Sequence, residues 1–372
     1  MHRRYRPMLI RDHALIPDVK RIAVLRPNAV GDFMFVLPAL HALKQAYPGA
    51  RLTYIGKPWH AQFLQDRPGP IDDVVVIPPC PGVGAPADAQ VDTQDEGTEL
   101  QSFIDRMQRE EFDLAFQVYG GGRYANPFTK RLGARCTMGL KAEDAEPLDR
   151  WIAFGSPQNR RLQLLEVAGL AGANTVRIGR DLEVTASDRR EAQRILPDPL
   201  SRPLVTLQPG ASDSRRCWPA ARFSALGDAL AETGALIAVN GTKAEAPIVH
   251  AVIDSMHHPA IDLSGKLSLN GLCGWMERSA LVVSNDTGPL HLALAIGTPC
   301  VGIYWLTNLV ESAPLAQRMH RSAMSVRIHC PVCGEANLTT RCPHDLSFLD
   351  TVPAEEVIEA ALELLRLSRL LH

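Results

Sequence analysis

The run Ser284-Asn285-Asp286-Thr287-Gly288-Pro289-Leu290-His291 follows the apolar stretch Leu281-Val282-Val283 and opens a helix-compatible segment. A buried strand ending in such a turn leaves backbone N–H groups at a helix N-terminus, where the dipole favours an anion. Gly288 lets a phosphate approach the backbone closely. Thr287 adds a hydroxyl, Asp286 an acceptor, and His291 falls one turn inside the helix on the ligand side. The same residues also suit a plain helix start, with Asp286 as N-cap and His291 buried. A second loop, Pro209-Gly210-Ala211-Ser212-Asp213-Ser214-Arg215-Arg216-Cys217-Trp218-Pro219, likewise ends an apolar run, Leu204–Gln208. Arginine forks suit phosphate oxygens better than a point charge does. Alone, this loop reads as solvated surface. Beside the first it gains weight, because open α/β sheets bind ligands at the carboxyl ends of their strands.

A third loop, Asn28-Ala29-Val30-Gly31-Asp32, places a carboxylate at the mouth of the N-terminal sheet, or else caps the next helix. It lacks Gly-x-Gly-x-x-Gly spacing, and no Walker-type lysine loop occurs, which disfavours nicotinamide and P-loop chemistry. Near the C-terminus, Cys330, Cys333, Cys342 and His344 offer four soft or borderline ligands, the composition of a structural zinc knuckle. Free thiols on a loop are the alternative.

The elements that must position these residues alternate. Strands are expected at Arg21–Leu25, Arg51–Ile55, Val74–Ile77 and Leu114–Gln117, with helices at Phe33–Tyr47 and Leu100–Arg109 between them. Residues 78–97, rich in Pro, Gly and acidic residues, read as a long surface loop. After a Pro-rich joint at 196–203 the alternation resumes, with strands at Leu204–Gln208, Leu236–Asn240, Leu281–Ser284 and Cys300–Tyr304, and helices at Pro219–Thr233, Leu269–Arg278 and Pro289–Ala295. Such alternation implies right-handed crossovers and parallel sheets, in two successive doubly wound halves. A last helix over Pro353–Leu371 carries an apolar face of Val357, Ile358, Ala361, Leu362, Leu365 and Leu370.

Composition agrees. The chain has 372 residues, too many for one compact core, and 39 basic against 41 acidic side chains, which argues against a nucleic-acid binder. No apolar run reaches bilayer length, and no apolar segment follows the basic start Met1-His2-Arg3-Arg4, so neither a membrane span nor a secretory signal is expected. Eight cysteines, scattered except for three near the C-terminus, in a chain of this size fit reduced thiols in the cytoplasm.

Taken in order, Gly31-Asp32, Pro209 to Pro219 and Asn285 to His291 resemble the motifs of the heptosyltransferase family, glycosyltransferase family 9. Leu37-Pro38-Ala39-Leu40 and Asp262-Leu263-Ser264-Gly265-Lys266 add to the likeness, which runs from about Arg21 to Leu306 with a gap over 80–105. The resemblance implies a GT-B fold: two Rossmann-like domains facing across a cleft, with residues 1–180 on the acceptor side, 181–352 binding a nucleotide-sugar donor, and 353–372 as a docking helix. It implies an inverting, metal-independent transfer of a heptose-like sugar from a nucleotide-diphosphate donor such as ADP-heptose to a lipopolysaccharide-type acceptor. The absence of any Asp-x-Asp is in keeping with this. By the same resemblance Asp32 is the general base. Ser212, Arg216, Glu245, Asp286, Thr287, Gly288 and His291 meet the donor, and Arg123 and Lys130 lie where relatives meet an anionic acceptor. Arg215 is expected to face solvent. Activity is expected to survive loss of any metal at Cys330, Cys333, Cys342 and His344, and contact with a membrane is expected to be peripheral at most. The alternatives are a nucleotide-sugar 2-epimerase on the same fold, or a non-catalytic binding homologue.

Overall fold

The computed structural model describes residues 14–88, 95–155, 158–175, 179–316, 318–338 and 340–369. The basic N-terminal residues and Leu370 lie outside them. The chain divides into two compact units, Met1–Arg177 and Ile178–His372.

In the first unit the order is β1 (Arg21–Leu25), α1 (Val30–Ala46), β2 (Arg51–Gly56), α2 (Pro58–Leu64), β3 (Asp73–Val76), α3 (Asp95–Gln108), β4 (Leu114–Gln117), α4 (Ala125–Arg131), β5 (Cys136–Lys141), β6 (Arg150–Ala153) and α5 (Arg160–Gly169). The strands form one sheet in the order β3-β2-β1-β4-β5-β6, every pairing parallel. After its first residue β1 is wholly buried, as its unbroken apolar run requires. Edge strands β3 and β6 are only part-buried, and β6, without a continuous apolar run, gives no clear signal in the sequence. In β5, Gly139 is obligatory for space, since a Cβ there would lie 2.3 Å from the Gln117 carbonyl. The expected surface loop after β3 is partly core: Cys80 and Val83 pack with Phe103 and Ile104 of α3.

The second unit repeats the plan with α6 (Ala186–Ile195), β7 (Leu204–Gln208), α7 (Ala220–Ala231), β8 (Leu236–Val239), α8 (Ala246–Asp254), β9 (Ala260–Asp262), α9 (Leu269–Arg278), β10 (Ser279–Asn285), α10 (Gly288–Ile296), β11 (Cys300–Trp305), α11 (Leu306–Ser312), β12 (His320–Ser325) and α12 (Ala354–Arg369). Its sheet runs β12-β11-β10-β7-β8-β9, again all parallel. Val357, Ala361, Leu364 and Leu365 of α12 join the core that holds Val205, Phe223 and Val283, so the last helix closes one face of this sheet. Burial of these side chains contributes roughly 1.5–3 kcal/mol each. Among the described residues no helix is long and apolar enough to cross a membrane.

Both sheets reverse direction of growth beside their first strand, between β1 and β4 and between β7 and β10. At such a switch point the flanking loops diverge and leave a crevice beyond the strand ends.

Candidate active site

In the second unit the switch point gathers three loops. Asn285 staples two of them: its Oδ1 accepts from Trp218 N at 3.1 Å and its Nδ2 donates to the Pro209 carbonyl at 2.7 Å. Trp218 is itself fully buried, with Nε1 donating to the Val352 carbonyl. Glu245 follows β8, where one carboxylate oxygen accepts from Thr242 N at 2.7 Å. The other lies against Gly210, so closely that a Cβ there would meet it at 2.0 Å. Gly210 thus sits against the Glu245 carboxylate, and a side chain there would push it aside.

Asp286 is buried. Its Oδ1 accepts from His291 Nε2 and from Ser312 Oγ, both at 2.9 Å, and its Oδ2 lies 3.9 Å from Arg216 Nη1. Burial raises its pKa, but His291, Ser312 and Arg216 outweigh that and hold it below the ordinary carboxylate range. His291 is thus a buried partner of Asp286 and not an exposed ligand group. Thr287, not Asp286, is the N-cap of α10, and it makes no side-chain capping bond. Thr287 and Gly288 stay partly open. Arg216 Nη2 donates to Ser212 Oγ at 3.2 Å, while its Nε is buried without a hydrogen-bond partner. This guanidinium, set between Ser212 and the start of α10, is suited to an anion.

Arg215 does not face solvent. Its fork grips both oxygens of Asp213, at 3.1 Å and 2.8 Å, and its Nη1 donates to the Asn337 and Thr340 carbonyls. The guanidinium also lies 5.6 Å from the Trp305 ring centre. Hydrogen bonding holds Asp213 below the usual carboxylate range and raises Arg215. Adjacent residues in a short 3-10 turn, Ser214–Arg216, project differently, and spacing alone could not choose between them.

In the first unit α1 begins at Val30 with Ala29 as N-cap, so Asp32 sits in the first turn and is not the cap. Its carboxylate meets Arg26 Nη2 at 3.2 Å and remains 39% exposed. Arg26 is buried: Nε donates to the Asp32 carbonyl at 2.9 Å, Nη1 to the Val118 carbonyl, and its own carbonyl accepts from Tyr54 Oη at 2.6 Å. Sequence reading missed Arg26, for which an arginine closing an apolar strand was the available sign, and named Asn285 in its motif without giving it a role. A cavity of about 180 Å³ beside Asp32 is lined by Arg26, Asn28, Arg160 and Gln163, and Asn28 Oδ1 is buried there without a partner. A larger hollow, about 1040 Å³, runs along β3 and α3 but includes none of the residues that carry chemistry. Arg123 is exposed with Asp144 3.7 Å away, and Lys130 pairs with Glu146.

Cys330, Cys333, Cys342 and His344 come together with all four ligand atoms within 4.8 Å of one another. A tetrahedron of thiolate–zinc bonds about 2.3 Å long fits that separation. Cys330 and Cys342 are buried and Cys333 is exposed. Gly334, at φ +75°, makes the tight turn after the Cys-x-x-Cys. Burial raises the Cys342 thiol, yet hydrogen bonds from His344 and Asn337 bring it down to about 6, towards the thiolate a metal needs.

Two like-ordered parallel sheets, each with polar loops at its switch point and an anion-suited arginine in the second, define an α/β enzyme of two Rossmann-like halves. The chain belongs to glycosyltransferase family 9 (heptosyltransferase), whose model matches residues 103–336; it is a glycosyltransferase of the GT-B fold. It is 21% identical over 307 residues to the lipopolysaccharide core heptosyltransferase of Haemophilus influenzae, a match spanning 79% of this chain and 82% of that protein. Among solved structures it resembles a glycosyl transferase family 9 protein of Veillonella parvula, with a TM-score of 0.75, 20% identity and coverage of 93% and 97% of the two chains. It also resembles the ADP-heptose LPS heptosyltransferase II of Escherichia coli, with a TM-score of 0.72, 15% identity and coverage of 94% and 99%.

Proposed function

We propose that this chain transfers heptose from ADP-heptose to a lipopolysaccharide-core acceptor by a single inverting displacement. The observation that carries the donor half is Arg216, set among Ser212, Asp286 and Asp213 at the sheet's switch point, with a buried Nε that has no hydrogen-bond partner and lies 4.0 Å from Asp213 Oδ2. A leaving nucleoside diphosphate gathers negative charge as the glycosidic bond breaks, and this guanidinium with the N–H groups opening α10 stabilises it. Ser212, Thr287 and Gly288 complete the diphosphate contacts, Glu245 meets the ribose, and Asp286 with His291 holds Arg216 and the loop in place. Asp32 removes the acceptor proton as the hydroxyl attacks. Arg26 keeps that carboxylate aimed, and Asn28 with Arg160 offers polar contacts to the acceptor sugar. Arg123 and Lys130 meet acidic groups of the acceptor. Transfer itself uses protein groups and no catalytic metal. The enzyme works in the cytoplasm, meeting a membrane-borne acceptor peripherally.

We further read Cys330, Cys333, Cys342 and His344 as a structural zinc site. A closed set of four ligands leaves no position for substrate, so the ion's contribution there is to order the chain. Incubating the protein with ADP-heptose and a heptose-deficient core acceptor tests the activity. The expected result is ADP release with heptose added to the acceptor in inverted configuration. Epimerised donor, or tight donor binding with no product, would overturn it.

A further inference from the structure

We propose that Arg215 is a positioning residue through which the Cys330, Cys333, Cys342 and His344 site sets the affinity of the donor loop. This rests on the zinc reading above. The 212–217 loop has few anchors within its own strand–helix unit, but the segment after β12 holds it at several points. Arg215 Nη1 donates to the Asn337 carbonyl at 3.2 Å and to the Thr340 carbonyl at 3.3 Å. Phe348 N donates to the Arg215 carbonyl at 2.9 Å, and Ser347 Oγ to the Cys217 carbonyl at 2.6 Å. Ser214 Oγ donates to Asp345 at 2.8 Å.

Asn337 is the junction. It is buried, its carbonyl receives Arg215, and its Oδ1 receives the N–H of the ligand Cys342 at 3.1 Å. One residue therefore joins a ligand of the cluster to the arginine that precedes Arg216. The 328–346 stretch has little apolar material of its own: Val332, Leu338 and Leu346 all point outward. Asn337 is also held by its N–H on the Ile328 carbonyl at 2.8 Å and Thr340 by its Oγ1 on the Ala336 carbonyl at 2.7 Å. A metal would tie this turn to the rest of the cluster, and its carbonyls in turn hold Arg215. With Arg215 gripping Asp213 and the cluster side, Arg216 keeps only a 4.0 Å contact to Asp213 and turns its Nη groups to Ser212 and Asp286. Loss of the metal frees the carbonyls, and the loop that presents Arg216 loses its register.

The experiment measures metal content and ADP affinity by calorimetry on the full chain, as purified, after chelation and after zinc is returned. Cys333→Ser and Arg215→Ala are measured alongside, with the half-buried Cys136→Ser as a thiol control. The expected result is about tenfold weaker ADP binding after chelation and in Cys333→Ser. Zinc restores the chelated wild type, which a misfolded loop would not allow, and does not restore Cys333→Ser. Arg215→Ala shows the same weakening while keeping its metal. Metal that leaves without changing ADP affinity overturns the coupling and spares the zinc site. Protein with under about a tenth of an equivalent of metal overturns both. A wild type that binds no ADP overturns the donor assignment, and the coupling with it.

Discussion

At the scale of single residues, the two halves of the proposed chemistry separate cleanly. Asp32→Asn keeps the shape beside Arg26 but removes the base, so turnover should fall by about 10²–10⁴-fold while ADP affinity stays unchanged. Calorimetry against steady-state rates checks this, and lost ADP binding would move Asp32 to the donor side. Arg216→Ala removes a charge-assisted contact to the leaving diphosphate, so ADP binding and turnover should both weaken, by about 1.5–3 kcal/mol. These residues stand at ends of apolar runs, which is why their positions are legible from sequence. Arg26 stands six residues from Asp32, but other contacts of the site span long stretches: Asn285 binds Trp218 and Pro209, and Ser312 binds Asp286.

At the scale of elements, β2 and α2 meet through a buried histidine. His60 is fully buried, stacks on Trp59 with ring centres 3.7 Å apart, and accepts from Lys57 N through Nδ1 at 2.9 Å. Desolvation lowers its pKa to about 3. The folded state therefore stays unprotonated where the unfolded chain, with an ordinary imidazole near 6.5, takes up a proton. Stability should fall as pH drops from about 6.5 towards 3, by about 1 kcal/mol per unit, and His60→Gln should flatten that slope. Denaturant midpoints at pH 7, 6, 5 and 4 measure it; equal slopes in both proteins would show that other groups dominate. Among the strands, those buried on both faces, such as β1, β4 and β7, are legible as apolar runs. The edges β6, β9 and β12 are not, and neither is the buried β5, whose run CTMGLK is broken by Thr137 and Gly139; edge strand β3 is legible because three valines run together.

At the scale of the whole chain, each unit has its own core. Chelation should therefore lower the melting temperature of the second unit alone. Hydrogen exchange should then show protection lost over 326–348 and 212–217, while β1, β2 and β4 keep theirs. Loss spread evenly over both units would mean that the metal supports something other than the donor-side segment.

The amino-acid order alone determined the α/β class, the doubling of the plan and the three loops, and offered the Cys330, Cys333, Cys342 and His344 set as zinc ligands or free thiols. Each of these is local: apolar continuity makes a buried strand, and a small-residue turn must follow it. Tertiary structure decided what those loops do to one another. The order of strands in each sheet places the loops after β7 and β10 side by side, although 76 residues separate Pro209 from the Asn285 amide that binds it. It also turned Arg215 from an expected surface arginine into the link between Asp213 and Asn337. Adjacent arginines are equivalent in composition and differ only in what the fold brings within hydrogen-bonding reach of each.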